Sequence, residues 1–494
     1  MKKKMLLLLS LLGVCAAAGI ALIFLLKPPD TDYSELYDND EIHDEHADTE
    51  NFVENTAEEY LIATDADSID HMVLKNTLGT FTILRNEKTG TLTIKEMKNN
   101  VPVCDSYLEY VWYYGASLGY SYKIIDTEEY PLSFSDYSLD DPQAQVEVFY
   151  SDGSKNSFEI GAEIPSEEDV YYFRFGNDDC VYITEFNLAM FQGESYFIDT
   201  DVFSINSDDS DTVIGKMEIT GSEIPKKIVI EPYSSDDRSD QSYGASYIMT
   251  SPERAAVDKE NVTALTNELI YFQPYLAVCS APDRETLKSY GLDKPKKTIR
   301  FFRNGSEETI SIGNTVGELC YLTVGGIDAI YSMETVNAES LLGMSADYCR
   351  SATIRAYTID ALKSITVSFN DTDYNFTATR TALDDEESYY EYHAYYPKGE
   401  LNISSYKKFL AVLSDNSAIN RETDALTDKA ALTVKVEYFD GFGRKPETLK
   451  FFDAGSNRYL CTVNGKPQGK VSHVWLARLI KATLSLSRNE DVNA

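Results

Sequence analysis

Tyr290-Gly291-Leu292-Asp293-Lys294-Pro295, KKTIRFFRNG (296–305), TISIG (309–313), LCYLTV (319–324) and AIYSM (329–333) follow one another in a chain of 494 residues. The same order occurs earlier, as Tyr137-Ser138-Leu139-Asp140-Asp141-Pro142, QAQVEVFYSDG (143–153), SFEIG (157–161), DVYYFRF (169–175) and CVYI (180–183). The Leu-Asp-x-Pro elements lie 153 residues apart, the Ile-Gly elements 152 and the Val/Ile-Tyr elements 149. A slowly drifting offset, with the differences absorbed in turns, is the mark of internal duplication. A weaker third copy reads LTVKVEYFDG (432–441), TLKFF (448–452) and NRYLCTVNG (457–465), without Leu-Asp-x-Pro or the Ile-Gly ending, as a divergent terminal repeat would.

Within each copy apolar and polar residues alternate over short runs, and Asp-Gly or Asn-Gly then turns the chain, which is the pattern of half-buried strands joined as hairpins. Pro142 and Pro295 suit the first residue of a strand, since proline lacks an N–H donor. Gly161 and Gly313 are expected to take a positive φ where a strand ends. Helical spacing runs over Val257–Val278, with Val262, Leu265, Leu269 and Phe272 on one side, and over Asn402–Ser414, with Asp105–Leu118 as the counterpart in the first copy. A hairpin is expected before each helix, as over Ala361–Arg380. The predicted fold class is α+β, with repeated modules of antiparallel hairpins each carrying a packed helix, over 71–205, 206–352 and 353–494.

The succession of helix, Tyr-Gly-Leu-Asp-x-Pro, a strand closing in Ile-Gly, a Tyr-containing strand, Ile-Tyr and a tail such as Ser340-Leu341-Leu342 resembles the domain of unknown function 4340 family. The likeness is clearest over 245–355, with an older copy over 105–205. Leu139, Asp140, Pro142, Gly161, Tyr172 and Tyr182 carry it in one copy, and Leu292, Asp293, Pro295, Gly313, Tyr321 and Tyr331 in the other. Ser138 stands where the family prefers glycine, and the loop over Gly119–Ser133 is longer. The resemblance implies a bacterial, membrane-anchored, extracytoplasmic protein that is auxiliary to an ABC-type export system of the kind linked to gliding motility. No catalytic residues are established for that family, so none carry over.

The N-terminus agrees with that expectation on its own terms. Lys2, Lys3 and Lys4 precede an apolar run from Met5 to Leu26, close to the roughly 20 residues that cross a bilayer. A cleaved signal has a shorter apolar core, and a lipidated Cys15 would be preceded by a small residue where Val14 stands. An uncleaved anchor over 1–27 is therefore the leading reading, with the basic flank cytoplasmic and the body outside. Residues 28–70 hold sixteen Asp or Glu and no Lys or Arg, the composition of a disordered tether. Asp30, Asp32, Ser34, Asp38 and Glu41 space like a calcium loop, but Glu35 stands where that loop needs glycine. A formal charge of −37 argues against a nucleic-acid partner. Six scattered cysteines follow the anchor without a CxxC pair, so neither zinc nor a disulfide framework is expected.

Chemistry-bearing motifs are scarce. His43 and His46 lie in the acidic run, and His71, His393 and His473 stand alone. No GxSxG, HExxH or Walker loop occurs, and the stretch from Gly465 to Gly469 reads as a hairpin turn. The 35 tyrosines suit half-buried strand surfaces. Tyr107, Tyr110 and Tyr114, beside Val111 on one helical face, could instead meet a ligand, and Tyr389, Tyr390, Tyr392, Tyr395 and Tyr396 cluster among glutamates. The sequence thus points to a non-enzymatic, membrane-anchored auxiliary or scaffold protein without cofactor or metal, with ABC permease and ATPase subunits as partners. A module that binds cell-wall polysaccharide or peptide is the alternative.

Overall fold

A computed structural model describes residues 52–98, 100–203, 212–233, 245–382, 390–421, 429–441 and 443–492. The predicted anchor, most of the acidic run and the calcium-like loop lie outside them, as does Tyr389. No helix among the described residues is long and apolar enough to cross a membrane.

The described chain forms three large antiparallel sheets. The first contains β1 (Phe52–Glu54), β3 (Ile69–Asn76), β4 (Gly79–Arg85), β5 (Leu92–Ile94), β7 (Tyr122–Ile125), β8 (Ala144–Tyr150), β9 (Lys155–Glu163), β10 (Val170–Phe175) and β11 (Cys180–Glu185). Their spatial order is β1-β7-β11-β10-β9-β8-β3-β4-β5. A small separate pair joins β2 (Tyr60–Ala63) to β6 (Ser117–Gly119).

The second sheet contains β12 (Ile214–Thr220), β13 (Ile228–Pro232), β14 (Tyr247–Ser251), β15 (Ala255–Ala256), β16 (Leu276–Ser280), β17 (Lys297–Arg303), β18 (Ser306–Val316), β19 (Leu319–Val324) and β20 (Ala329–Glu334). Its order, β16-β20-β19-β18-β17-β12-β13-β14-β15, repeats the first from β7 onward. The third contains β21 (Leu362–Phe369), β22 (Thr372–Ala382), β23 (Tyr390–Tyr396), β24 (Gly399–Leu401), β25 (Leu432–Tyr438), β26 (Glu447–Asp453), β27 (Arg458–Val463) and β28 (Lys466–Ser472), ordered β28-β27-β26-β25-β21-β22-β23-β24. In all three, an early hairpin leads into a helix, and a four-stranded meander then returns to pair with the first hairpin strand, as β8 on β3, β17 on β12 and β25 on β21.

The alternation that marked these strands has its expected cause. Ala144, Val146, Val148 and Tyr150 of β8 are buried with half-exposed residues between them, and Leu432, Val434, Val436 and Tyr438 do the same in β25. Asn304-Gly305 and Asn464-Gly465 take positive φ at both positions, the geometry that lets a two-residue turn follow the twist of its strands. Each helix lays an apolar stripe on its sheet: Leu108, Val111 and Trp112 from α1 (Asp105–Ala116), Val262, Leu265 and Leu269 from α2 (Lys259–Ile270), and Tyr406, Phe409 and Leu413 from α3 (Ile403–Ser414). Asp258 and Asn402 cap the last two by accepting from backbone amides of the first turn. A further helix, α4 (His473–Ser487), follows β28 and sets Trp475 against Phe451 and the Val412 carbonyl.

Three expectations change. The tether does not extend to residue 70: Phe52, Val53 and Glu54 pair with Ile124, Lys123 and Tyr122, and β3 starts at Ile69. Short edge strands tolerate charge, which composition reads as disorder. The helix predicted to reach Val278 ends at Ile270, and Leu276–Ser280 instead pairs with β20, because Pro274 cannot continue a helix. Pro142 and Pro295 sit two residues ahead of β8 and β17.

Candidate functional site

The residues that announced the repeat converge on the sheet face opposite the helices. Leu139 lies in a small apolar cluster with Val170 and Val181, against which Tyr137 and Tyr172 pack; Leu292 lies in its counterpart with Tyr321 and Ile330, against which Tyr290 packs. Tyr137 meets Tyr172 at 4.8 Å between ring centroids, and Tyr290 meets Tyr321 at 4.6 Å. Between tyrosine and leucine the chain turns through a left-handed residue, Gly291 with φ 71° or Ser138 with φ 58°. Serine here occupies a conformation that glycine adopts without strain, so the turn is kept where the family prefers glycine. Asp140 and Asp293 are exposed.

Gly161 and Gly313 do not have positive φ. Instead, a Cβ on Gly161 would stand 2.1 Å from the Tyr137 carbonyl oxygen, and one on Gly313 would stand 2.2 Å from the Tyr290 oxygen. The glycines are required because the loop lies directly on the strand. Tyr182 and Tyr331 are buried structural residues: the first donates to Asp178 Oδ2 at 2.7 Å and the second to the Asp199 carbonyl at 3.3 Å. Burial pushes both phenols up, with Asp178 and Asp199 adding to the effect.

The aromatic helix face divides in two. Tyr107 stacks on Tyr196 at 4.7 Å. Tyr114 is held at the other end, where its hydroxyl accepts from the Asn187 amide at 2.9 Å, contacts the Glu185 carbonyl at 3.4 Å, and its ring packs on Phe186 at 5.0 Å. Burial raises the Tyr114 phenol. Tyr110 and Tyr113 remain 52% and 59% exposed. With Tyr114, Ser106, Glu109, Asp169, Glu185 and Asn187 they line an open groove of about 610 Å³. Exposed rings beside carboxylates can cover the C–H face of a sugar while accepting from its hydroxyls, or receive a basic peptide.

Helical spacing pointed to Tyr110 and Tyr114, but Tyr113 was missed because it falls one step off the stripe. Asp169 and Glu185 come from the ends of β10 and β11 and carry no local signal. In the tyrosine cluster of β23, His393 Nδ1 donates to Glu400 Oε1 at 2.6 Å, and that hydrogen bond raises the imidazole pKa. The six cysteines are unpaired thiols, and burial pushes Cys320 up to about 11 and Cys349 to about 12. Among the described residues no group of three or more His, Cys, Asp or Glu is placed to hold a metal ion.

The family model described as Domain of unknown function (DUF4340) matches residues 117–270 and 248–418. No curated protein matches the chain.

Proposed function

The chain belongs to the domain of unknown function (DUF4340) family, and from that premise we propose that it is a non-catalytic scaffold, anchored in a membrane by residues 5–26, whose body acts outside the cytoplasm beside an ABC-type transport system. The observation that supports this reading is the joining of successive sheets into one continuous support. A single apolar core runs from Ile62 to Cys349 through the first two sheets. Phe203 packs on Phe272 at 5.5 Å and on Phe301 at 5.9 Å, Ser280 donates to Glu194 at 2.6 Å, and Lys98 pairs with Asp328. A repeated architecture with fused interfaces presents extended surface at fixed spacing, which suits a protein that positions others. Purification of the intact protein from its own membrane should recover permease and ATPase subunits; recovery of the protein without either would remove the transport part of the proposal.

The groove beside α1 favours a second reading, in which the body binds a wall saccharide. Retention on purified wall material should fall when Tyr110 and Tyr113 are changed to alanine, and should be unaffected by Tyr107→Ala if stacking on Tyr196 is that residue's only role. Undiminished retention in the double variant would discard the groove.

A further inference from the structure

The groove beside α1 has a charge as well as a shape. Tyr110 and Tyr113 stand one turn apart on the helix, so their exposed rings are neighbours. Tyr113 sits edge-on to Tyr114 at 6.0 Å between centroids, and Tyr114 is fixed in turn against Phe186 and the Asn187 amide. Glu109 on the helix, with Asp169 and Glu185 at the ends of β10 and β11, completes the wall, and all three are exposed.

No lysine, arginine or histidine is among the described lining residues. Burial, and after it the charge of Glu185, neighbouring Tyr113 and the charge of Asp169, raise the Tyr114 phenol, so both carboxylates act on the same small space. Carboxylates are acceptors only, and like charges drawn together repel. A neutral sugar laid on the two rings would donate hydroxyls to these oxygens and leave their charges opposed. An ammonium group brings three donors and the compensating charge, and a tyrosine face attracts it further. A peptide is matched less well, because β10 and β11 are each paired on both sides and offer no free edge to a main chain.

Resting on the saccharide reading of this groove, we propose that it takes an amino sugar whose nitrogen is free. The sugar ring lies on Tyr110 and Tyr113, and the ammonium sits among Glu109, Asp169 and Glu185. The groove, of about 610 Å³, is within the range of ligand pockets, about 300 to 1,000 Å³. N-acetylation removes the charge and leaves a single donor, so an acetylated sugar of the same length is discriminated against, and an anionic polymer is repelled.

The test is calorimetric titration of the full-length protein in detergent at an ionic strength of about 0.15 M, where charges far from the site are screened. The probes are a glucosamine tetramer, its fully N-acetylated twin and tetralysine. The free-amine sugar should bind about tenfold more tightly than its twin. Glu109→Gln and Glu185→Gln should each weaken it about threefold and leave the twin unchanged. Asp293→Asn, an exposed acid in the second unit, should alter neither. Equal affinity for the two sugars, both lost in the Tyr110→Ala, Tyr113→Ala double variant, overturns the ammonium assignment while the saccharide reading stands. Undiminished binding of both sugars in that double variant removes the reading and the proposal together. Tetralysine binding as tightly as the glucosamine tetramer also overturns the proposal, since the groove would then select charge without the sugar ring.

Discussion

Replacing Gly313 by alanine tests why the repeated loop lies on its strand. The new Cβ would stand 2.2 Å from the Tyr290 carbonyl oxygen and 3.0 Å from Leu292 Cγ. The first neighbour is backbone, so no rotamer change relieves it, and the loop must retreat by about 1 Å to reach an ordinary contact. Retreat weakens the bond from the Asn314 amide to the Tyr290 oxygen, 2.7 Å long, and separates Tyr290 from Tyr321. Overpacking costs about 1–3 kcal/mol, the hydrogen bond about 1 kcal/mol and the ring pair about 0.5–1.5 kcal/mol. Because relief of one loss deepens another, the expected total is about 2–4 kcal/mol. Hydrogen exchange should accelerate at the amides of 287–296 and 310–314, and the unfolding temperature should fall. Gly317→Ala is the reference: it has φ 60° and open space around its Cβ, so it carries only the left-handed penalty of about 1–2 kcal/mol. If Gly313→Ala exchanges like the parent protein, or destabilises less than Gly317→Ala, close approach is not the reason for glycine. Gly161→Ala, at 2.1 Å from the Tyr137 oxygen, should behave like Gly313→Ala.

Other outcomes follow from single environments. Glu218 is held by Lys216 at 2.7 Å, Arg300 at 2.5 Å and Lys227 at 3.3 Å, and these partners lower its pKa from 4.5 to about 2. A depressed carboxylate stabilises the fold above its unfolded value and loses that effect as pH falls from about 4.5 to 2. Since the cations are half exposed, Glu218→Gln should cost only about 1 kcal/mol at pH 7 and nothing near pH 2; an equal loss at both pH values in urea titrations would contradict this. Tyr114→Phe removes the acceptor for the Asn187 amide and should destabilise by about 1 kcal/mol, whereas Tyr113→Phe should be silent in the same titration. The third sheet has its own apolar core, Ile354 to Val492, so calorimetry of the whole protein should resolve two transitions, and Phe451→Ala should lower only one of them. A single transition would mean that the polar joint couples the sheets fully.

The strand-rich repeat was legible because each central strand is buried on one face, and the period of two survives divergence. Val146 and Val148 in one copy and Ile299 and Phe301 in the next keep their places although few identities remain. The boundary after α2 was misread because Leu276 and Val278 continue the helical spacing by chance, and Pro274 was the stronger signal. Gly161 and Gly313 were recognised as required, but for the wrong reason, since close approach depends on a carbonyl from a loop more than twenty residues upstream. Half of the α1 groove comes from strand ends whose positions only the folded sheet defines.

Of the four ends of the family matches, 117, 270 and 418 lie at or within four residues of the C-terminal ends of α1, α2 and α3, and 248 lies within β14. The stretch 117–270 takes β7 to β11 from the first sheet and β12 to β15 with α2 from the second, so β8 would lack β3 and β12 would lack β17. The segment shared by inheritance is therefore out of phase with the segment that can fold. A lone copy, excised along its own borders, would expose two unpaired strands and should aggregate. Such a unit can be gained or lost only inside a series whose ends supply the missing halves. Here β3 to β5 close one end, and β25 to β28 with α4 close the other.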